Sequence, residues 1–267
     1  MSLVALQQLN IELTSRCSKK TICSMCAHQD LRTNPALKLG DMNFDLLRLI
    51  STQIESPTII SLHRDGDSVD FERLREALEL FNGFPVSLVT HGERLAEKAD
   101  DIIGRATTVT VSIVPKDPDR QIQLDSVREF MRKKGDRAPM LQLKFLGHIN
   151  DAEEYEALSL PIINRALHVK PGNWLYSRAT PPVPEVRVCL DFLSRPSIDW
   201  QGNVWICNRF NASKEGLIGD LNEQSLDEIW NGPVRQAMLQ AHLAGRRDLA
   251  NNLCKACTFW GIPTPAG

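Results

Sequence analysis

Near its start the chain alternates apolar Leu9, Ile11 and Leu13 with polar Asn10, Glu12 and Thr14. That period of two predicts a strand with one polar face. Asn43-Phe-Asp-Leu-Leu-Arg-Leu-Ile-Ser-Thr-Gln-Ile instead spaces its apolar residues for a helix, with Asp41 or Asn43 available as cap. Residues 58–63 read as a strand. The polar turn 64–68 leads into a helix over 71–81, ended by Asn82-Gly83. The same rhythm predicts strands over 86–90, 107–114, 140–146 and 166–170. Helices are expected between them over 93–103, 121–134 and 151–158. Six strands alternating with helices predict a parallel α/β architecture.

Several of these strands keep one polar face. Thr108, Thr110 and Ser112 alternate with Val109, Val111 and Ile113; Gln142 and Lys144 with Leu141, Leu143 and Phe145; His168 and Lys170 with Leu167 and Val169. Doubly wound sheets bury both faces and read as continuous apolar runs. A polar inner face therefore predicts a partial (β/α)6 TIM-type barrel, open at the side, with its site at the carboxyl ends of the strands.

From Pro171 the texture changes. Pro171-Gly-Asn-Trp and Thr180-Pro-Pro-Val-Pro184 read as a linker. Two short strands are expected around Gln201-Gly202, and Trp200 and Trp205 suit packing of a small domain. Ser225-Leu-Asp-Glu228 is a capping box, and the break at Asn231-Gly-Pro233 starts a last helix over 234–243. The expected division is a barrel over 1–170, a bridge over 171–188 and a small α+β domain over 189–267.

Seven cysteines fall into two groups in this 267-residue chain: Cys17, Cys23 and Cys26 early, and Cys189, Cys207, Cys254 and Cys257 late. An odd count excludes complete disulfide pairing, and two compact groups point to metal ligation rather than scattered core thiols. Three thiols in C-x5-C-x2-C are one short of a closed tetrahedral site. If they hold a [4Fe-4S] cluster, the fourth iron stays open to a ligand that is not protein. The late set, ending in C-x2-C, suits a structural zinc or an iron–sulfur cluster. A formal net charge of −2 gives no global reason to bind nucleic acid or an anionic surface. The first residues lack a signal-peptide pattern and no apolar run is long enough to span a bilayer, so a cytoplasmic protein is expected.

With these residues in order, the chain resembles the radical S-adenosylmethionine (SAM) superfamily with a C-terminal extension of the SPASM/twitch type. The resemblance rests on a strand ending Glu12-Leu-Thr-Ser-Arg-Cys17, on Asp65-Gly-Asp-Ser68 where the family has Gly-Gly-Glu-Pro, and on Thr90-His-Gly92 for Thr-Asn-Gly. The late set Cys189, Gly202, Cys207 and Cys254-x2-Cys257 completes it. Its departures are a cluster loop longer than the usual C-x3-C-x2-C, and Asp67, one methylene shorter than the usual Glu. The resemblance implies a SAM-binding [4Fe-4S] cluster on Cys17, Cys23 and Cys26 and an auxiliary [4Fe-4S] cluster on Cys189, Cys207, Cys254 and Cys257. For SAM it implies Asp65, Gly66 and Asp67 at the ammonium, Lys144 at the carboxylate, Ser112 with Thr90 or His91 at the ribose, and Met25 near the adenine. Glu12 and Lys170, the catalytic candidates, and His168 would face substrate. Lys144 equally suits a snorkelling residue and Asp67 a loop cap.

The activity implied is reductive cleavage of SAM to a 5′-deoxyadenosyl radical that abstracts a substrate hydrogen atom. An electron donor such as flavodoxin or ferredoxin is the expected partner. Peptides or amino-acid moieties are the implied substrates. The chain starts almost at its first strand, which leaves room for a smaller target such as an amino-acid-decorated nucleobase, as in viral DNA hypermodification. The reading of another class is a non-catalytic zinc-binding module or iron–sulfur electron carrier.

Overall fold

The computed structural model describes residues 6–21, 23, 26–165, 188–209 and 214–257. Among these residues nine strands share one sheet: β1 (Gln8–Ile11), β2 (Ile59–Leu62), β3 (Val86–Thr90), β4 (Thr108–Ile113), β5 (Met140–Leu146), β6 (Ile162–Arg165), β7 (Ser197–Ile198), β8 (Asn203–Trp205) and β9 (Leu217–Asp220). Their spatial order is β6-β5-β4-β3-β2-β1-β7-β8-β9. β1 to β6 pair in parallel, each with its successor. Succession in one direction sends every right-handed crossover to the same face. The helices therefore gather on one side and the other face curls around a lumen, with no strand-order reversal of the doubly wound kind. Among the described residues the sheet stays open, as a partial barrel.

The outer face makes the core. Leu9, Ile11, Ile60, Leu62, Leu88, Val109, Val111 and Leu143 are fully buried and share one apolar cluster with Leu47, Ile50, Leu74, Leu124, Val127 and Phe130 of the helices. Helix Phe44–Ser51 starts where Asn43 accepts the Asp45 N–H at 2.8 Å, and Arg120–Lys134 ends at Gly135.

Several helices are shorter than their periodicity predicts. The one expected over 71–81 is Leu74–Leu80, because Asp67 caps a 3₁₀ turn, Ser68–Asp70, ahead of it. The one expected over 93–103 condenses to Ala99–Ile102. There the Glu93 N–H goes to His91 Nδ1 and the Ala96 N–H to Ser126 Oγ, which replaces the helical pattern with side-chain acceptors. The one expected over 151–158 is Glu153–Glu156. The sixth strand is β6, paired through Leu143↔Ile162. The stretch 166–170, where it was expected, lies outside the described residues, as does nearly all of the 171–188 bridge.

The hairpin around Gln201-Gly202 is present and is fused to the barrel sheet: β7 adds to β1 in parallel at Asn10↔Ser197, and β8 and β9 follow antiparallel. Asp199 closes the turn by accepting the Gln201 and Asn203 N–H groups, both at 3.0 Å. Gly202 has φ +96°, and a Cβ there would lie 2.9 Å from Asn222 Nδ2 and 3.0 Å from Leu46 Cδ2. The capping box of Ser225 and Glu228 starts helix Leu226–Trp230, and Pro233–Leu243 follows. Among the described residues no helix is long and apolar enough to cross a membrane.

Gly202→Ala should therefore cost about 1–3 kcal/mol, lowering Tm by about 2–8 °C in thermal unfolding of the metal-loaded protein.

Candidate active site

The chain leaving β1 reaches Cys17 through a tight approach to the turn after β2. A Cβ on Gly66 would lie 2.1 Å from the Thr14 carbonyl oxygen and 2.6 Å from that of Arg16, and the Asp67 N–H donates to the Arg16 carbonyl at 2.8 Å. Only glycine lets the two backbones meet this closely. Asp67 is buried and does more than cap its turn. Its Oδ1 accepts from the Val69 N–H at 3.0 Å, and its Oδ2 from Thr90 Oγ1 at 2.8 Å and the His91 N–H at 2.7 Å. His91 Nε2 lies 3.3 Å from the same oxygen. The carboxylate thus ties the turn after β2 to the end of β3, bringing together Asp65, Gly66, Asp67, Thr90 and His91. Burial holds the Asp67 carboxyl above its ordinary range, against the lowering effect of His91.

The long cysteine loop is pinned by a residue that sequence reasoning missed. Lys19 is buried, and its ammonium pairs with Glu93, with Asp117 at 2.9 Å and with Asp119 at 3.1 Å. Those carboxylates, above all the hydrogen bond to Asp117, outweigh burial and raise the ammonium's pKa. Arg32 closes the other side, donating to the carbonyls of Cys17 at 2.8 Å and Lys19 at 3.2 Å. Asp70 accepts the Ser18 N–H at 2.6 Å and pairs with Arg94 at 2.6 Å. Nothing local in the loop signals these partners, since Lys19's are 74 and 100 residues away at Glu93 and Asp119.

Cys17, Cys23 and Cys26 come into mutual range through Cys26, whose N–H donates to the Cys23 carbonyl at 2.9 Å. Burial pushes the Cys17 thiol up to about 12 and Cys23 to about 11, and raises Cys26. The late thiols converge as well: Cys254 feels Cys207, Cys257 and Cys189. Burial raises Cys254, and pushes Cys189 to about 11 and Cys207 to about 12. Buried thiols become thiolates only when a metal takes them, so loading must release protons.

The chemistry of the donor sets tests which metal fits. Among the described residues the compact set of metal-type donors, within 4.8 Å of one another, is Cys17 with Asp70 and His91. Soft thiols, three early and four late, suit an iron–sulfur cluster in both places. Asp70 and His91 are already held by Ser18, Arg94 and Asp67, which leaves the thiols as the soft donors.

Below the mouth the lumen is polar. Ser112 and Lys144 are partners in the β4–β5 register, and Gln142 Nε2 donates to Thr110 Oγ1 at 2.8 Å. Burial, reinforced by Arg165, pushes the half-buried Lys144 down to about 8; burial and Lys144 push His63 down to about 3. Glu12 is buried and faces inward. Its Oε1 accepts the N–H groups of Asp65 at 3.0 Å and Gly66 at 3.4 Å, while its Oε2 accepts that of Trp200 at 3.3 Å. Arg64 lies beside it, 3.1 Å from Asp65 and stacked 4.5 Å over the Trp205 ring, whose indole N–H donates to Asp199 at 2.9 Å. Burial, then the Asp65 charge, pushes Glu12 up to about 8. Met25, His168 and Lys170 lie outside the described residues.

Two outcomes follow. Glu12 is held protonated in the fold more firmly than its ordinary value of 4.5 allows, so its stabilising share is complete below that pH and disappears as pH rises towards about 8. Thermal unfolding between pH 6 and about 8 should show a falling Tm whose slope is shallower in Glu12→Gln. Lys19→Met leaves three carboxylates without their cation and should cost about 3–5 kcal/mol. It should also speed loss of iron from the early site to a chelator, with Lys19→Arg restoring part of both.

Residues 189–258 match the SPASM family model, an iron–sulfur cluster-binding domain. Among curated proteins none matches the chain in sequence. Several solved structures share its fold. BtrN in complex with AdoMet and 2-DOIA has a TM-score of 0.59 at 16% identity, covering 99% of this chain and 97% of that one. Native anSMEcpe with bound AdoMet has 0.58 at 15%, covering 85% and 81%. Streptococcus suis SuiB bound to precursor peptide SuiA has 0.53 at 11%, covering 97% and 72%. At such identities the likeness is one of fold. The late cysteines thus lie in a match to the SPASM iron–sulfur cluster-binding domain, carried on a chain that shares its fold with BtrN and anSMEcpe, both solved with AdoMet bound.

Proposed function

We propose that the chain is a radical SAM enzyme acting on a peptide or amino-acid moiety, with its cleavage cluster on Cys17, Cys23 and Cys26 and an auxiliary cluster on Cys189, Cys207, Cys254 and Cys257. The observation that carries this reading is the meeting of three cysteines, the Asp65-Gly66-Asp67 turn and Thr90-His91 at the carboxyl ends of β1 to β3. Bound there, a [4Fe-4S] cluster would supply the electron that splits SAM into methionine and a 5′-deoxyadenosyl radical able to take a substrate hydrogen atom.

The protein's own part is to bind, orient and keep dry. The backbone of Asp65 and Gly66 sits beside Cys17 to receive the ammonium of SAM. Asp67 already uses both oxygens within the protein, so its contribution is to hold Thr90 and His91 in place for the ribose. Ser112 and Lys144, adjacent across β4 and β5, offer the next donors, with Lys144 for the carboxylate. Lys19 keeps the cysteine loop closed over the mouth. The division into a barrel over 1–170, a bridge over 171–188 and a cluster domain over 189–267 belongs to this proposal, supported by the family match over 189–258. An iron–sulfur or flavin protein would deliver the electron. The peptide class is supported by the shared fold with SuiB, seen with a precursor peptide.

Anaerobic reconstitution should give about eight irons per chain and 5′-deoxyadenosine from SAM under reduction. Cys26→Ala should keep about four irons and abolish SAM cleavage, while Cys254→Ala should lose the other four. Full iron loading with no 5′-deoxyadenosine would overturn the reading.

A further inference from the structure

Among the described residues, one wall of the lumen carries positive charge with no acid within ion-pair distance of it. On β5 the inward positions are Gln142, Lys144 and Leu146; on β6, Ile163 is the register partner of Lys144 and Arg165 that of Leu146. Lys144 and Arg165 therefore stand on neighbouring strands one pleat apart, and the other inward positions here, Thr110, Ser112, Gln142, Leu146 and Ile163, are uncharged. Arg165 Nε is buried with no hydrogen-bond partner. Among the described residues neither side chain makes an ion pair. The acid whose field reaches Arg165 is Asp191, and Asp191 is shared with Arg195 at 3.7 Å and Arg209 at 3.8 Å.

Holding a guanidinium half-buried without a counter-ion is costly, and a fold that needed it only for stability would pair it or replace it with an apolar residue. A planar fork fixed on a strand and left unpaired is the arrangement that receives a carboxylate or phosphate through two parallel hydrogen bonds. Arg165 is also within electrostatic range of both Lys144 and Asp191, and Asp191 is two residues from Cys189. Lys144 remains for the carboxylate of SAM.

We infer that Arg165 is the anion-recognition residue of the substrate pocket, and that the substrate enters with a carboxylate or phosphate group seated on its guanidinium. This rests on the enzyme reading above and narrows its substrate to an anionic one. The test is anaerobic calorimetric titration of the reconstituted enzyme, saturated with SAM, using methyl phosphate in one arm and acetate in the other. Wild type should bind at least one probe. Arg165→Gln should bind it about 10–100-fold more weakly, with Arg165→Lys between them. Iron content and SAM affinity should stay within about twofold in both variants. The preferred probe tells whether the substrate brings a phosphate or a carboxylate. Equal binding by wild type and Arg165→Gln, no binding of either probe by wild type, or a loss of SAM affinity parallel to the loss of anion binding would each overturn the inference. Titration needs no turnover, so absent SAM cleavage beside intact Arg165-dependent anion binding would count against the enzyme reading alone.

Discussion

Glu12 leaves water at the end of β1 and must find its hydrogen bonds inside the protein. It takes them from the backbone of Asp65 and Gly66 and from that of Trp200, so a single carboxyl joins the first strand, the turn after the second and the carboxy-terminal hairpin. A buried acceptor left unsatisfied costs more than a formed bond gains, and this gives the joint its direction: losing any one of the three donors while the carboxyl stays buried leaves an oxygen unsatisfied. Arg64, Trp205 and Asp199 extend the same joint. The cluster domain is consequently continuous with the barrel through β1 and β7, with polar contacts as well as a strand pairing across the seam.

The cysteine sites hang from the two ends of that joint. Gly66 presses against Thr14 and Arg16 immediately before Cys17, while Trp200 and Trp205 belong to the hairpin that runs on to Cys207. Burial disfavours thiolate at nearly every one of these cysteines, so their charge must be supplied with the metal. Between the sites, lumen chemistry is set by which charges are paired. Lys19 has more acid than it needs and is structural; among the described residues Lys144 and Arg165 have none within ion-pair distance.

Asp67 shows how a motif can be right in place and altered in role. The sequence puts an acid where a strand turns towards the mouth, and the structure keeps it there, buried. Yet it spends its oxygens on Val69, Thr90 and His91. A shorter side chain than glutamate reaches its own scaffold first, and it acts on a ligand through the residues it positions.

Local pattern alone determined a good deal of this protein. The alternation of Leu9 to Thr14 and of Thr108 to Ile113, the caps at Asn43 and Ser225 and the turn at Gly202 each depend on residues within a few positions of one another, and each holds in three dimensions. What the tertiary structure alone decided are the meetings of distant side chains: Lys19 with Asp119, Glu12 with Trp200, Arg165 with Lys144 and Asp191. It also decided the shortened helices after β3 and β5, and the addition of β7 and β9 to the barrel sheet. Periodicity records which face of an element is buried. It carries no record of strand register or of what stands opposite a long polar side chain, because those depend on how elements far apart in the chain are packed.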